Sequence, residues 1–198
     1  TAASIYGDVT DSESRMTMRL GQVEESDRLA AIVSDIAEKV LQQRPGDLRA
    51  MKNRYFSLNM QANVARNRHD DAKALEYSLQ SDEAARYYTR FNPADAAGWD
   101  NRGSGIREVA FAYFDLGQVS EALKKLDEGV NLSRLPGNKT GNSFFAYVAA
   151  AQRVALNAQL GNLGSARADL VKARQNFAEF VKARSIDGEL QEIGGLGV

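Results

Sequence analysis

The 198-residue chain offers few side chains able to do covalent chemistry. Its single histidine, His69, lies in the run Arg68-His69-Asp70-Asp71, and it has no cysteine. A histidine beside two carboxylates could ligate a metal or exchange protons. Adjacent residues point in different directions, however, and no second histidine completes a ligand set. Capping accounts for the same residues: Asp70 as the N-cap of a helix and Asp71 at its positive end. Without cysteine there is no thiolate nucleophile, disulfide framework or thiolate zinc site. Gly103-Ser104-Gly105 and Gly194-Gly195-Leu196-Gly197 lack the preceding strand and the lysine of a phosphate cradle. The first reads as a tight helix crossing and the second as a frayed tail. Arg86, Tyr87, Tyr88 and Arg90 combine cations with rings that could stack bases. Yet Tyr88 falls on an apolar stripe, and a net charge of −1 supplies no field for nucleic acid. Asn131-Leu132-Ser133 and Asn138-Lys139-Thr140 are formal glycosylation sequons, which matter only in a secretory compartment. The expectation is a non-enzyme with no metal, no cofactor and no nucleic-acid partner.

Bulk properties bound the class. Hydrophobic residues make up 43% and charged residues 26%, an ordinary balance for one globular domain with a substantial core. No apolar run approaches the ~18 residues of a membrane span. The opening TAASIYGDVTDSESR has neither the basic start nor the apolar centre of a signal peptide. Together with the missing cysteines this favours a cytoplasmic location. The chain opens on Thr1 rather than Met, so it is expected to be processed or part of a longer protein.

Strand patterns are nearly absent, and helical periodicity is widespread. Leu29, Ile32, Val33, Ile36 and Val40 form one stripe, and Met51, Tyr55, Leu58, Ala62 and Ala65 the next. Ala74, Tyr77, Ala84, Tyr88 and Phe91 follow, then Ala122, Leu123, Leu126 and Val130. Leu163, Ala166, Leu170, Ala173, Phe177 and Val181 mark the last long helix. Segment 142–160 carries alanine on several faces and is expected to be the most enclosed helix. Two kinds of turn separate the helices. Pro45, Pro93 and Pro136 lie in RPGD, NPAD and LPGN, where proline stops a helix. Gly21, Gly117 and Gly161 begin the similar runs GQVEES, GQVSEA and GNLGSA, and RNRHDDA takes that place in the remaining unit. Glycine there predicts a left-handed helix end. Ser26, Ala122 and Ala166, five positions on, would let the second helix approach the first, with Leu126 and Leu170 filling the space between. The order predicts an all-α, right-handed superhelical array of about four antiparallel hairpins in one domain. Their approximate spans are 11–44, 47–92, 94–135 and 139–184, with a tail over 185–198.

Ala110, Tyr113, Gly117, Ala122, Leu126 and Gly129 resemble the small, aromatic, glycine, alanine, bulky and small positions of the tetratricopeptide repeat (TPR). Val154, Asn157, Gly161, Ala166, Leu170 and Ala173 give a second match, with Asn157 in place of the aromatic. The first unit has Ser26 where alanine is usual, and the second unit matches loosely. The glycine turns lie further apart than the family's ~34 residues, which implies elongated helices. The one from about 95 to 116, carrying Trp99, gains two turns.

The resemblance implies a concave groove lined by the first helix of each pair. It places Phe56, Asn59, Asn63 and Arg66 there from the second unit, and Ser104, Arg107, Phe111 and Phe114 from the third. The fourth contributes Val148, Ala151 and Ala155. Asparagine amides can bond an extended backbone, arginine can pair with a carboxylate, and aromatics can anchor apolar side chains. Asn59 stands where the family's carboxylate clamp has lysine. The competing reading makes Phe111, Phe114 and the fourth-unit alanines core, which is the favoured reading for the fourth unit, and the asparagines and arginines an ordinary solvated face. The resemblance implies a non-catalytic module that binds a peptide or protein segment, of unknown identity, in the groove. Two alternatives stay open: a regulatory or sensory domain of a signalling protein, and a self-association scaffold forming a homo-oligomer through the alanine-rich face or the C-terminal helix.

Overall fold

A helix leaves its last carbonyls without partners, and a left-handed residue just beyond the end turns the following N–H groups back onto them. Four turns in this chain do so. Gly21, Gly117 and Gly161 have φ of +75°, +70° and +75°. The residue after each donates its N–H five positions back: Gln22 to Thr17, Gln118 to Tyr113, and Asn162 to Asn157, at 2.8–2.9 Å. His69 completes the set. Its φ is +57°, and Asp70 donates to Ala65 at 2.9 Å. The only histidine therefore occupies the glycine position of the second hairpin. Asp70 caps the next helix by accepting from the Lys73 N–H at 3.1 Å. The two described proline turns end in the same way. Asp47 accepts from Ala50 and Asp95 from Ala97.

The computed structural model describes residues 2–135, 137–138 and 144–186. Its helices are α1 (Ala2–Arg19), α2 (Val23–Gln43), α3 (Leu48–Asn67), α4 (Asp71–Phe91), α5 (Ala96–Asp115), α6 (Val119–Val130), α7 (Phe144–Gln159) and α8 (Leu163–Ile186). One 3-10 turn, Leu132–Arg134, follows α6. No strand occurs among the described residues, so the chain is all-α. Each helix packs on the next, and α1 also packs on α3, and α5 on α7. The first hairpin begins at Ala2, well ahead of the expected residue 11. Gly194-Gly195-Leu196-Gly197, Pro136 and most of the second sequon lie outside the described residues. Among the described residues, no helix is long and apolar enough to cross a membrane.

Departures from the expected apolar and small positions have physical replacements. Ser26 and Ser14 exchange hydrogen bonds between hydroxyl and backbone carbonyl, both at 2.9 Å, so a serine pair closes the α1–α2 contact. Asn157 and Arg153 both donate to the buried carboxylate of Asp169, at 2.9 and 3.1 Å, where an aromatic would have packed. In the Gly103-Ser104-Gly105 run, a Cβ on Gly105 would stand 3.3 Å from the Asp82 Cα. Glycine lets α5 cross α4 at that distance. Trp99 is buried and donates its indole N–H to the Pro93 carbonyl, which ties the lengthened α5 to the proline turn.

Two expectations fail. Helix α7 is not the most enclosed; α3 is, burying Met51, Tyr55, Leu58, Ala62, Val64 and Ala65 among others against α1, α2 and α4. In α7, Ala146, Ala149 and Ala150 are buried, but Val148 and Ala151 are half-buried and Ala155 is exposed. Its alanines permit close approach on the sides that have neighbours, and they do not supply neighbours elsewhere. In α8 only Ala166 and Ala173 of the expected stripe are buried, while Leu163, Leu170 and Phe177 are exposed. Leu126 fills the α5–α6 interface as expected, but Leu170 does not fill the last one.

The shared turn geometry predicts opposite effects at equivalent positions. Gly117 has open space around a would-be Cβ, so Gly117→Ala adds only left-handed strain, about 1 kcal/mol of lost stability. His69→Gly relieves the same strain and is expected to be neutral or to raise stability by up to about 1 kcal/mol. Urea unfolding followed by circular dichroism measures both.

Candidate functional site

Helices α3 and α5, the first helices of the second and third hairpins, contribute a connected line of side chains, and α1 reaches the adjacent Phe56. Arg15 of α1 places its guanidinium 5.0 Å from the centre of the Phe56 ring on α3. Along α3, the Asn63 amide donates to Asn59 at 3.4 Å, and Arg66 donates to Asn63 at 3.1 Å. Residues three and four apart share a helix face, which makes this ladder possible. Arg66 also donates to Glu108 of α5 at 3.0 Å and lies 3.7 Å from Asp115. Arg107 donates to the other Glu108 oxygen at 2.9 Å. Four of the six residues expected to line a groove are thus linked, Asn59, Asn63 and Arg66 directly and Arg107 through Glu108, while Phe56 contacts Arg15 instead.

Phe111, the sixth, continues the line on α5. Phe111 and Phe114 are 41% and 42% exposed, too open for core residues. With Ala110, Ala122, Leu126, Gln152, Ala155, Leu156 and Gln159 they border an apolar cleft of about 230 Å³ between α5, α6 and α7. Ala155 therefore lines a cleft, and the core reading of the fourth unit is wrong for it. Ser104 sits further back, bonded to the Tyr55 hydroxyl. Burial pushes that hydroxyl up to about 12, so it stays protonated.

Sequence reasoning missed Glu108, the acceptor that both arginines share. Its place one residue after Arg107, and seven before Asp115, was a usable signal. Its pairing with Arg66, 42 residues away, was not. The side chain of Glu108 is 12% exposed, so removing it strands two guanidinium groups in a partly dry setting.

Two other charged clusters flank this line. Phe56 borders a cleft of about 460 Å³ in which charges are matched in pairs: Arg49 with Asp8, Arg15 with Asp11, and Lys52 with Asp95. The Tyr88 hydroxyl also donates to Asp95. Burial opposes ionisation of Asp95, but the Tyr88 and Lys52 bonds outweigh it and hold the carboxyl below its ordinary value. Where α4, α5 and α6 meet, Lys125 bridges Asp82 at 2.6 Å and Glu128 at 2.8 Å. Arg86 reaches both acids, and Arg102 reaches Glu128. Arg86 is thus consumed inside the fold, and of the tyrosine pair only Tyr87 is exposed. Among the described residues no group of three or more acids and histidines could hold a metal ion.

No known family model matches the chain, and no curated protein matches it.

Glu108→Ala is expected to lower unfolding free energy by about 1–3 kcal/mol, through loss of two charge-assisted bonds. Asp35→Ala, which breaks the exposed pair with Lys39, serves as the control and should cost less. The α4–α6 network predicts a pH effect. Burial raises the Glu128 pKa, but the Lys125 bond and the Lys125 and Arg86 charges bring it below the ordinary 4.5. A depressed folded pKa contributes stability above the unfolded value and loses it as pH falls through the folded one. Glu128→Gln should therefore flatten the decline in stability below about pH 4.5, read as urea midpoints at successive pH values.

Proposed function

We propose that this chain is a non-catalytic interaction module, a TPR-like right-handed array that binds an extended protein segment along the odd-numbered helices. The observation that carries this reading is the single line joining an amide–guanidinium ladder to an apolar cleft. Asn59 and Asn63 each keep hydrogen-bonding capacity beyond the ladder, and an amide can satisfy both the donor and the acceptor of a peptide group. The cleft beside Phe111 and Phe114 takes one apolar side chain of the bound segment, a role in which aromatic walls contribute most of the affinity. Glu108 matters to specificity. Together with Asp115, 3.7 Å from Arg66, it balances the charges of Arg66 and Arg107, so the ladder does not demand an acidic ligand, and recognition falls on backbone and apolar anchor. The module needs neither cofactor nor metal in this role.

Peptides selected against the chain from a random display library provide the test. Selected peptides are expected to carry an apolar anchor and to shift the amide resonances of Asn63, Phe111 and Phe114. Phe114→Glu should weaken them at least tenfold, and Arg107→Glu combined with Asn63→Ala should abolish binding, with helicity unchanged in both. Wild-type affinity in both variants would overturn the assignment of this face.

A further inference from the structure

Another cleft, of about 400 Å³, lies where the Pro93 turn approaches the turn after α6. Pro93, Trp99 and Leu135 form its apolar walls, and Thr89, Arg90 and Arg102 supply the polar ones. No carboxylate borders it. The cleft beside Phe56 is the opposite case, since there three bases meet three acids in pairs. Arg102 is only 14% exposed, and its guanidinium carbon lies 5.3 Å from the centre of the Trp99 ring. It donates to Glu128 at 3.3 Å, but its Nε–H is buried with no acceptor. Burial holds the Arg102 pKa below its ordinary value despite the Glu128 bond.

Positive charge at this cleft is not balanced from within the fold. Arg86, Arg102 and Lys125 share two acids, Asp82 and Glu128. Arg90 is exposed and forms no ion pair among the described residues. The other acids nearby are committed or placed elsewhere. Asp95 is bonded to Lys52 and Tyr88, Glu83 borders a different cleft, and Asp100 does not border this one. Two positive charges stay uncompensated, one left over from three bases against two acids and the other on Arg90. We propose that this cleft binds a phosphate monoester, with the phosphate between Arg90 and Arg102 and its apolar body against Pro93, Trp99 and Leu135. Such a monoester is close to a dianion at neutral pH, which matches the excess. Guanidinium groups present forks of N–H donors that fit phosphate oxygens. The volume lies within the range of small-molecule sites. No residue of this cleft belongs to the face proposed to bind peptide.

Trp99 is the only tryptophan, so its fluorescence reports on this wall alone. Phenyl phosphate titrated into the 198-residue chain should change that fluorescence saturably, with calorimetry giving the Kd. Inorganic phosphate, which lacks the apolar body, and benzoate, which carries a single charge, should each bind at least about tenfold more weakly. Arg90→Glu, at an exposed position, should abolish binding, and Arg102→Gln should weaken it about tenfold or more, with helicity by circular dichroism unchanged in both. Phe114→Glu, on the peptide face, should bind phenyl phosphate as the wild type does. The proposal is overturned by an absence of saturable change with phenyl phosphate, by equal binding of benzoate or inorganic phosphate, or by wild-type affinity in either arginine variant. Loss of binding in Phe114→Glu overturns it too, because the anion would then sit on the peptide face. If Arg102→Gln loses helicity, Arg90→Glu decides alone.

Discussion

The structure depends on one local constraint, the left-handed residue that ends the first helix of each hairpin. Without it the last carbonyls of that helix stay unpartnered and the chain cannot reverse within three residues. Three glycines and His69 meet the constraint with the same five-back hydrogen bond. A repeated turn imposes a repeated crossing, so helices of similar length stack pairwise and the odd-numbered ones come to share a surface. The chemistry of that surface then follows from which residues α1, α3, α5 and α7 present at that rotation.

Charge burial is the second organising feature. Lys125, Arg86 and Arg102 gather around Asp82 and Glu128 where three helices meet. Arg66 and Arg107 gather around Glu108 on the neighbouring face. Such pairs add little net stability over apolar packing, but breaking one leaves a costly unpaired charge. They therefore act as register pins. Helix α5 is thin at its crossing with α4, where Gly105 faces backbone, and the ion pairs fix how far it slides along its neighbours. The same pairing offsets charge along the Asn59–Asn63–Arg66 ladder.

A hairpin stack buries an apolar face only when another hairpin covers it. Helix α3, flanked by α1, α2 and α4, buries most of its large residues, whereas α5 leaves Phe111 and Phe114 exposed beside a cleft. Helices α1 and α8 bury mostly small and polar residues and expose several large ones.

Helix positions, turn types and the hairpin order were legible from the sequence, because each depends on interactions within about five residues. Asp70 as a cap, Gly117 as a left-handed helix end and the close crossing at Gly105 were all read correctly. The grouping of Asn59, Asn63 and Arg66 on one face was legible for the same reason. What the sequence left open was decided by contacts between distant residues. The enclosure of α3 rather than 142–160, the partial exposure of Leu170 and Phe177 beside α7, and the Arg66–Glu108 bond depend on which helices flank a given face. Periodicity defines a stripe and does not say whether anything covers it. Ion pairing requires charges within 4 Å across helices more than forty residues apart, and only the crossing geometry brings them there.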